Sequence, residues 1–253
     1  MRINSNANAL NTLRNLQESQ KQMKSTMEKL SSGFRINKAS DDPAGLIISE
    51  KMRSQISTIE QEIQNLDARD NKLTTAEGNM STMQKDLLEM RNIALSAAND
   101  GGNSADAQKA YQESMNNAVE SYNQTVENAS YGTQKLFDGS AGSVADMEKL
   151  ENIDVSTQEK AQEAIKAIDK QIEAVADQRG EIGATQKNEI ASQRNNLQTE
   201  LVNLTASEST VRDADMAREY VNFVKNEMQI KAGMAMLAQQ KQTPNLVFNF
   251  LQE

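Results

Sequence analysis

Leu16, Gln20, Met23, Met27, Leu30 and Phe34 follow one another at alternating steps of four and three. That spacing lays a single stripe along a helix, with one polar interruption. The stripe extends back through Leu13 and Leu10 and stops at Ser31-Ser32-Gly33, where glycine supplies the break. Residues 34–43 read as a non-helical connector. Asp41-Asp42-Pro43 then opens a second helix: a carboxylate caps it, proline suits the first helical position, and negative charge favours the positive end of the helix dipole. Met52, Ile56, Ile59, Ile63, Leu66, Asp70, Leu73, Glu77 and Met80 hold the step without a slip, and apolar residues continue through Leu87, Met90, Ile93 and Ala97. A helix over 44–99 is predicted, on the order of 80 Å long at ~1.5 Å per residue.

The turn cluster Asn99-Asp100-Gly101-Gly102-Asn103-Ser104 ends it, and Tyr111, Met115, Ala118, Tyr122, Thr125 and Ala129 mark a helix over 104–129 that folds back antiparallel. Residues 131–156 lose the pattern. Leu136-Phe137 before Asp138-Gly139 suggests a hairpin-like turn with short strands at most. A further stripe over 157–211 runs through Ile165, Ile168, Ile172, Val175, Arg179 and Ile182, then Ile190, Leu197, Leu201, Leu204 and Val211. Gly180 and Gly183 weaken that helix locally without ending its phase. The last segment, 212–253, is rich in Ala and Met and closes on Pro244 and an apolar tail.

The fold class is therefore mainly α: a long antiparallel coiled-coil bundle with a small hairpin and loop region, built from discontinuous N- and C-terminal domains. Helices 44–99, 104–129 and 157–211 bundle together, which leaves the first and last segments to pair. Such a pair leaves part of each apolar face uncovered and is marginal in water by itself. Its apolar positions Leu10, Leu13, Leu16, Met23, Met27, Leu30 and Phe34, with Val224, Met228, Leu237, Leu246, Val247, Phe250 and Leu251, are the candidate self-assembly residues. An exposed apolar C-terminus is a liability unless something covers it.

Composition narrows the function. Only 37% of residues are hydrophobic and 4% aromatic, which suits an elongated helical shape with a thin continuous stripe better than a globule. The net charge of −9 argues against nucleic-acid binding, since phosphate recognition depends on Lys and Arg. With neither Cys nor His, the chain cannot build a thiol nucleophile, a Ser-His-Asp triad or a zinc site of the usual ligands. No cofactor, metal site or enzymatic role is expected. No apolar run is long enough to span a bilayer and the first residues lack a signal-peptide core, so a protein that leaves the cell needs a dedicated exporter.

Leu30-Ser31-Ser32-Gly33-Phe34-Arg35-Ile36-Asn37, followed by Ala39-Ser40-Asp41-Asp42-Pro43-Ala44-Gly45-Leu46, resembles the N-terminal signature of bacterial flagellins. Leu204-Thr205-Ala206-Ser207-Glu208-Ser209, Arg212-Asp213-Ala214-Asp215-Met216-Ala217 and Leu237-Ala238-Gln239-Gln240 are similar to the matching C-terminal motifs. The resemblance covers nearly the whole chain. It implies a subunit that polymerises with itself into the extracellular flagellar filament. Residues 1–40 and 212–253 would pair as the inner core, and 41–137 with 157–211 would form an outer bundle. Residues 138–156 would be a short link in place of the variable outer domains. It also implies export through the flagellar type III apparatus without cleavage, with a secretion chaperone, the filament cap and hook-associated proteins as partners.

Pro43 stands where flagellins commonly have Ala and, with Met1-Arg2-Ile3, is similar to the hook-filament junction protein, although the C-terminal motifs fit flagellin better. An intracellular coiled-coil scaffold would explain the stripes but not the end motifs. The contact motif for the flagellin-sensing Toll-like receptor, Arg-x-Arg-Glu-Leu, aligns with Glu89-Met90-Arg91-Asn92-Ile93. Glu89, Arg91, Ile93 and Glu113 are the candidate receptor contacts. The charge reversal at Glu89 predicts weakened activation.

Bland readings suffice elsewhere. Ser31-Ser32-Gly33 lacks the Lys-Ser/Thr pair of a phosphate loop, and Asp41-Asp42 lacks calcium-loop spacing. The thirteen methionines read as adaptable packing. Asp70, Glu77 and Arg179 sit at stripe positions, where they either fix register across the bundle or drift to solvent.

Overall fold

The structure, a computed structural model, describes residues 7–99, 104–140 and 142–251, with side chains described through residue 240. In chain order it contains α1 (Ala7–Ser32), α2 (Pro43–Ala97), α3 (Ala105–Asn128), strands β1 (Ser130–Tyr131) and β2 (Gln134–Lys135), α4 (Gln158–Ala184), a π-helical turn (Thr185–Ile190), α5 (Ala191–Arg212) and α6 (Met216–Leu251). The helices begin where side-chain caps were legible. Asp42 Oδ1 accepts from Gly45 N at 2.9 Å, Ser104 Oγ from Ala107 N at 3.2 Å and Thr157 Oγ1 from Lys160 N at 3.4 Å. Asp215 Oδ1 does the same for α6, accepting from Arg218 N at 3.1 Å. At the other end, α6 continues past Pro244 to Leu251, where the sequence suggested a tail.

The chain forms two compact units: Met1–Thr58 with Glu200–Glu253, and Ile59–Thr199. In the second unit the stripes of α2, α3 and α4 meet. Met80, Met83, Leu87, Met90, Met115, Tyr122 and Ile168 are fully buried. The Tyr122 hydroxyl accepts from Gln171 Nε2 at 2.9 Å, and burial pushes its pKa up.

The irregular segment after α3 packs on the same core. β1 and β2 pair antiparallel around Gly132-Thr133, and Leu136, Phe137, Ala145, Met147 and Val155 are buried. A second turn at Asp138-Gly139 is closed by Ser140, which donates from N and Oγ to Asp138 Oδ1. Beyond it Val144, Ala145 and Met147 bond back to Leu136 and Phe137, with an isolated antiparallel bridge between Asp138 and Asp146, and from Glu148 to Val155 the chain belongs to no strand. Three amide side chains on α3 stand in for a strand partner. Asn123 accepts from Leu150 N at 2.8 Å and donates to Leu150 O at 2.9 Å. Gln112 donates to Ile153 O at 2.9 Å and accepts from Val155 N at 2.7 Å, and Gln108 donates to Val155 O at 2.7 Å. Both backbone polar groups of Leu150 and of buried Val155, and the carbonyl of Ile153, are thereby satisfied. At the end of the segment Lys160, 2.6 Å from Asp154, together with Ser156, holds the Asp154 carboxyl down at about 2. Its stabilising effect is present at neutral pH and is lost as pH falls from the ordinary carboxylate range through that value.

The polar stripe positions meet partners rather than solvent. Arg179 Nη2 lies 3.2 Å from Glu77 Oε1, and Nη1 donates to Gln84 Oε1. Gln186 Nε2 donates to Asp70 Oδ1 at 2.9 Å. Arg69 pairs with Glu189 at 2.8 Å and Arg194 with Asp67 at 3.3 Å. Solvent reaches all three ion pairs, so each contributes ~1 kcal/mol or less, and their role is register.

The π turn has a cause in the sequence. Inward positions step from Val175 to Arg179 and Ile182 by four and three, then to Gln186, Ile190 and Arg194 by four each time before the alternation resumes at Leu197. One residue is in excess between Gln186 and Ile190. The backbone absorbs it by opening to the wider turn, with Ala191 N bonding to Gln186 O. Asn188 is exposed on that turn. Its deletion should restore unbroken α-helix while leaving Arg179 and Arg194 opposite their acids. A rise in melting temperature of roughly 2–4 °C, equivalent to about 1 kcal/mol in a chain of this size, is expected in a circular-dichroism melt. A lower melting temperature would mean that the wide turn is itself favourable there.

Candidate assembly interface

The first unit is organised around two helix breaks. Gly33, at φ +78°, ends α1 with its N–H bonded to Lys29 O at 2.8 Å, a left-handed position that suits glycine. The break between α5 and α6 spans Asp213–Asp215. The two breaks bond to each other: Arg35 N donates to Arg212 O at 2.7 Å and Ala214 N to Gly33 O at 2.9 Å, making an isolated antiparallel bridge between Phe34 and Asp213. Side chains reinforce this clasp. The Arg212 guanidinium carbon lies 4.5 Å from the Phe34 ring centroid, and Arg35 Nη2 donates to Val211 O at 2.7 Å. Arg212 also faces Glu50 at 3.3 Å and Glu208 at 3.9 Å, while fully buried Ser49 donates to Glu208 Oε1 at 2.9 Å.

The connector that follows α1 is held by its own acids. Asp41 Oδ2 accepts from Lys38 N and Asn37 N, bonds that hold its carboxyl below the usual range. Asp42 caps α2, and buried Ile36 leans on the first turn. A Cβ on Gly45 would come within 2.5 Å of Asp42 Oδ2 and 2.7 Å of Ile36 Cδ1, so only glycine fits there. The two sequence motifs far apart in the chain are thus two sides of one joint.

From this joint α1 and α6 leave as a packed pair. Leu16, Met23, Leu30, Phe34, Val224 and Leu237 are half-buried. Gly233 faces Leu16 across the pair, where a Cβ would lie in ordinary contact, 3.4 Å from Leu16 Cδ1. Thr26, Asn226 and Ile230 are buried along the pair, Lys29 faces Glu219 at 3.9 Å, and Ser19 donates to Gln229 at 3.5 Å. Leu10, Leu13, Met27 and Met228 are exposed instead, Leu10 at 65% and Met228 at 64%. Leu246, Val247, Phe250 and Leu251 lie outside the described side chains.

Exposed apolar residues that the stripes did not mark lie in the same unit: Ile47, Ile48, Val202, Met216, Tyr220, Val221, Met234 and Met236. In the second unit, Leu88, Leu95 and Tyr131 are the exposed large hydrophobics among the described residues. On α6 these residues do not form one stripe. At ~100° per residue, Met216, Tyr220 and Met234 share one side, and Val221 and Met228 point roughly a third of a turn away. Met216 and Met234 lie within about 40° of Ile230, at the edge of the seam with α1, whereas Val221 and Met228 point away from Asn226 and Gly233. Exposed apolar side chains thus stand on more than one side of α6, between charged ones such as Arg218, Lys225 and Lys231, and one partner helix cannot cover them all.

Among the described residues no group of acidic side chains is placed to hold a metal, and no helix is long and apolar enough to cross a membrane. Of the candidate receptor contacts, Glu89 and Glu113 are exposed, Ile93 is half-buried against the core, and Arg91 donates from Nε to Asp169 at 2.6 Å.

The family profile for the bacterial flagellin N-terminal helical region matches residues 3–142, and that for the bacterial flagellin C-terminal helical region matches residues 165–251. A flagellin of Halalkalibacterium halodurans is 36% identical and a flagellin of Bacillus subtilis 32% identical, each over 99% of this chain and 100% of the relative. The flagellar filament 33 kDa core protein of Treponema phagedenis is 29% identical over the same shares. The clasp joins Gly33-Phe34-Arg35 of the first end motif to Arg212-Asp213-Ala214 of the second, and the sequence matches run over nearly the whole chain: the chain belongs to the bacterial flagellins, the structural subunits of the extracellular flagellar filament.

Proposed function

We propose that residues 1–40 and 212–253, paired through α1 and α6, form the inner core of the filament, where neighbouring copies cover the sides of α6 that α1 leaves bare. Residues 41–137 and 157–211 contribute the outer layer, and 138–156 stand where larger flagellins carry variable domains. The observation that carries this reading is the set of exposed apolar side chains on more than one side of α6, against a second unit whose large apolar side chains are mostly buried. Non-directional burial supplies the energy of polymerisation, and repeated identical contacts make a helical lattice. The clasp sets the direction in which both terminal helices leave the joint, so each subunit offers the same surface. As a flagellin the chain would leave the cell through the flagellar type III apparatus, attended by a secretion chaperone, and would meet the filament cap and hook-associated proteins.

The surface reading is tested by placing charge on it. Val221→Lys with Met228→Lys should leave the monomer's melting temperature within about 2 °C, since both side chains are exposed. It should also abolish filaments in sedimentation and electron microscopy. Filaments at the parental critical concentration would overturn it. The joint is tested at Gly45: Gly45→Ala should destabilise the monomer by about 1–3 kcal/mol in a denaturant titration, through the displaced Asp42 cap and Ile36. It should also slow polymerisation. A variant as stable as the parent would show that the joint yields without cost.

Weakened recognition by the flagellin-sensing Toll-like receptor belongs to the same proposal. Glu89 presents an acid where the contact motif has a cation, and Arg91 is engaged by Asp169. Glu89→Arg with Asn92→Glu should raise potency in a reporter-cell assay by tenfold or more. Full potency of the unaltered chain would sink the idea.

A further inference from the structure

The described methionines divide between the units in a way that packing alone does not require. Met80, Met83, Met90 and Met115 are completely buried in the second unit and Met147 nearly so. Met27, Met216, Met228, Met234 and Met236 are all in the first unit and between 46% and 64% exposed, while Met23 and Met52 of that unit are half-buried. Leucine would fill a permanent interface with equal apolar area and no reactive atom. Methionine adapts better to neighbours of slightly different shape, but it leaves a thioether sulfur open to solvent until a neighbour arrives.

We propose that these five methionines are an oxidative modification site that governs assembly: a peroxide-class oxidant converts them to sulfoxides in the free subunit, and the oxidised subunit no longer joins a filament. The inference rests on the assembly surface proposed above. In the step, the thioether sulfur attacks one peroxide oxygen and the O–O bond breaks. Sulfur forms an S–O bond and loses two electrons, and the other oxygen departs as water. Each side chain gains one oxygen, and the oxidant is reduced by two electrons. Susceptibility follows access, so the first unit is modified while the methionines of the helical core, out of reach of solvent, are spared. The product is polar and accepts hydrogen bonds strongly. On a surface that must be dried to assemble, such a group loses its water without a donor to replace it. Because the buried core lies in the second unit and holds none of these five methionines, oxidation leaves that core intact and only association changes. Sulfoxide reductases specific for each epimer reverse the reaction, which makes it a switch rather than a lesion.

The experiment treats the full-length monomer with hydrogen peroxide, maps added oxygen by peptide mass spectrometry, and measures critical concentration by sedimentation. One further arm is returned to reduced methionine with both reductases. Another carries Met→Leu at positions 27, 216, 228, 234 and 236. Expected are oxygen on those five methionines before any of the five buried ones, unchanged helical circular dichroism, and a critical concentration raised at least about tenfold. Reductase treatment should bring it back to the starting value, and the leucine variant should be insensitive to peroxide. Oxidised monomer that polymerises like the untreated chain, or oxygen appearing first on Met80, Met83, Met90, Met115 and Met147, would overturn the switch. If the leucine variant does not assemble at all, recovery with the reductases still decides the question. Failure of the surface reading is separate: there, untreated Val221→Lys, Met228→Lys chain would polymerise normally.

Discussion

Two main-chain hydrogen bonds, Arg35 N to Arg212 O and Ala214 N to Gly33 O, hold together residues 177 and 181 positions apart in the chain, and the first unit is arranged around them. Without them α1 and α6 would be two long helices with thin or ill-defined stripes, each marginal alone. With them, the two helix ends are brought to one level and given one direction, so that the seam through Leu16, Ile230 and Gly233 can close. The glycine at 33, the guanidinium over Phe34 and the crowded first turn at Gly45 all serve this joint. Much of the signature read in the sequence is therefore a folding requirement, and in the proposed assembly its relation to polymerisation is indirect, through the orientation of α1 and α6.

Helix extents were legible because local chemistry agreed with periodicity. Pro43 behind Asp42, Ser104 and Thr157 each gave a start, and the regular step of the stripes gave the length. The pairing of first and last segments was legible from the stripes that the central bundle left over. The outward residues of α6 were not. A stripe is visible only when one side is apolar and the other polar, and α6 carries Val221 and Met236 away from the side that holds Met216 and Ile230. The candidate list reached Met228 but not Tyr220 or Val221. The π turn was hidden similarly: an eight-residue step from Ile182 to Ile190 fits a stripe with one gap as well as it fits one surplus residue. Only the partners of Gln186 and Arg194 on α2 distinguish the two.

Polar residues inside the stripes carry alignment rather than strength. Arg179 and Arg194, on either side of the wide turn, each meet an acid on α2 at a defined level, and Asp70 on α2 meets Gln186 in the turn itself. Apolar burial alone would tolerate sliding of one helix along another by a turn, because the steps repeat. The cross-helix pairs do not repeat, and they distinguish the correct alignment from its neighbours.

The straps from Asn123, Gln112 and Gln108 grip main-chain atoms of Leu150, Ile153 and Val155, and between those points Glu151 and Asn152 are exposed. Grip through the backbone is indifferent to which side chains lie between the anchors. The short stretch at Glu151-Asn152 can therefore change sequence without disturbing the core beneath. A foreign peptide grafted there would be carried at high copy number along a polymer, which makes this small subunit a display scaffold as much as a motility part.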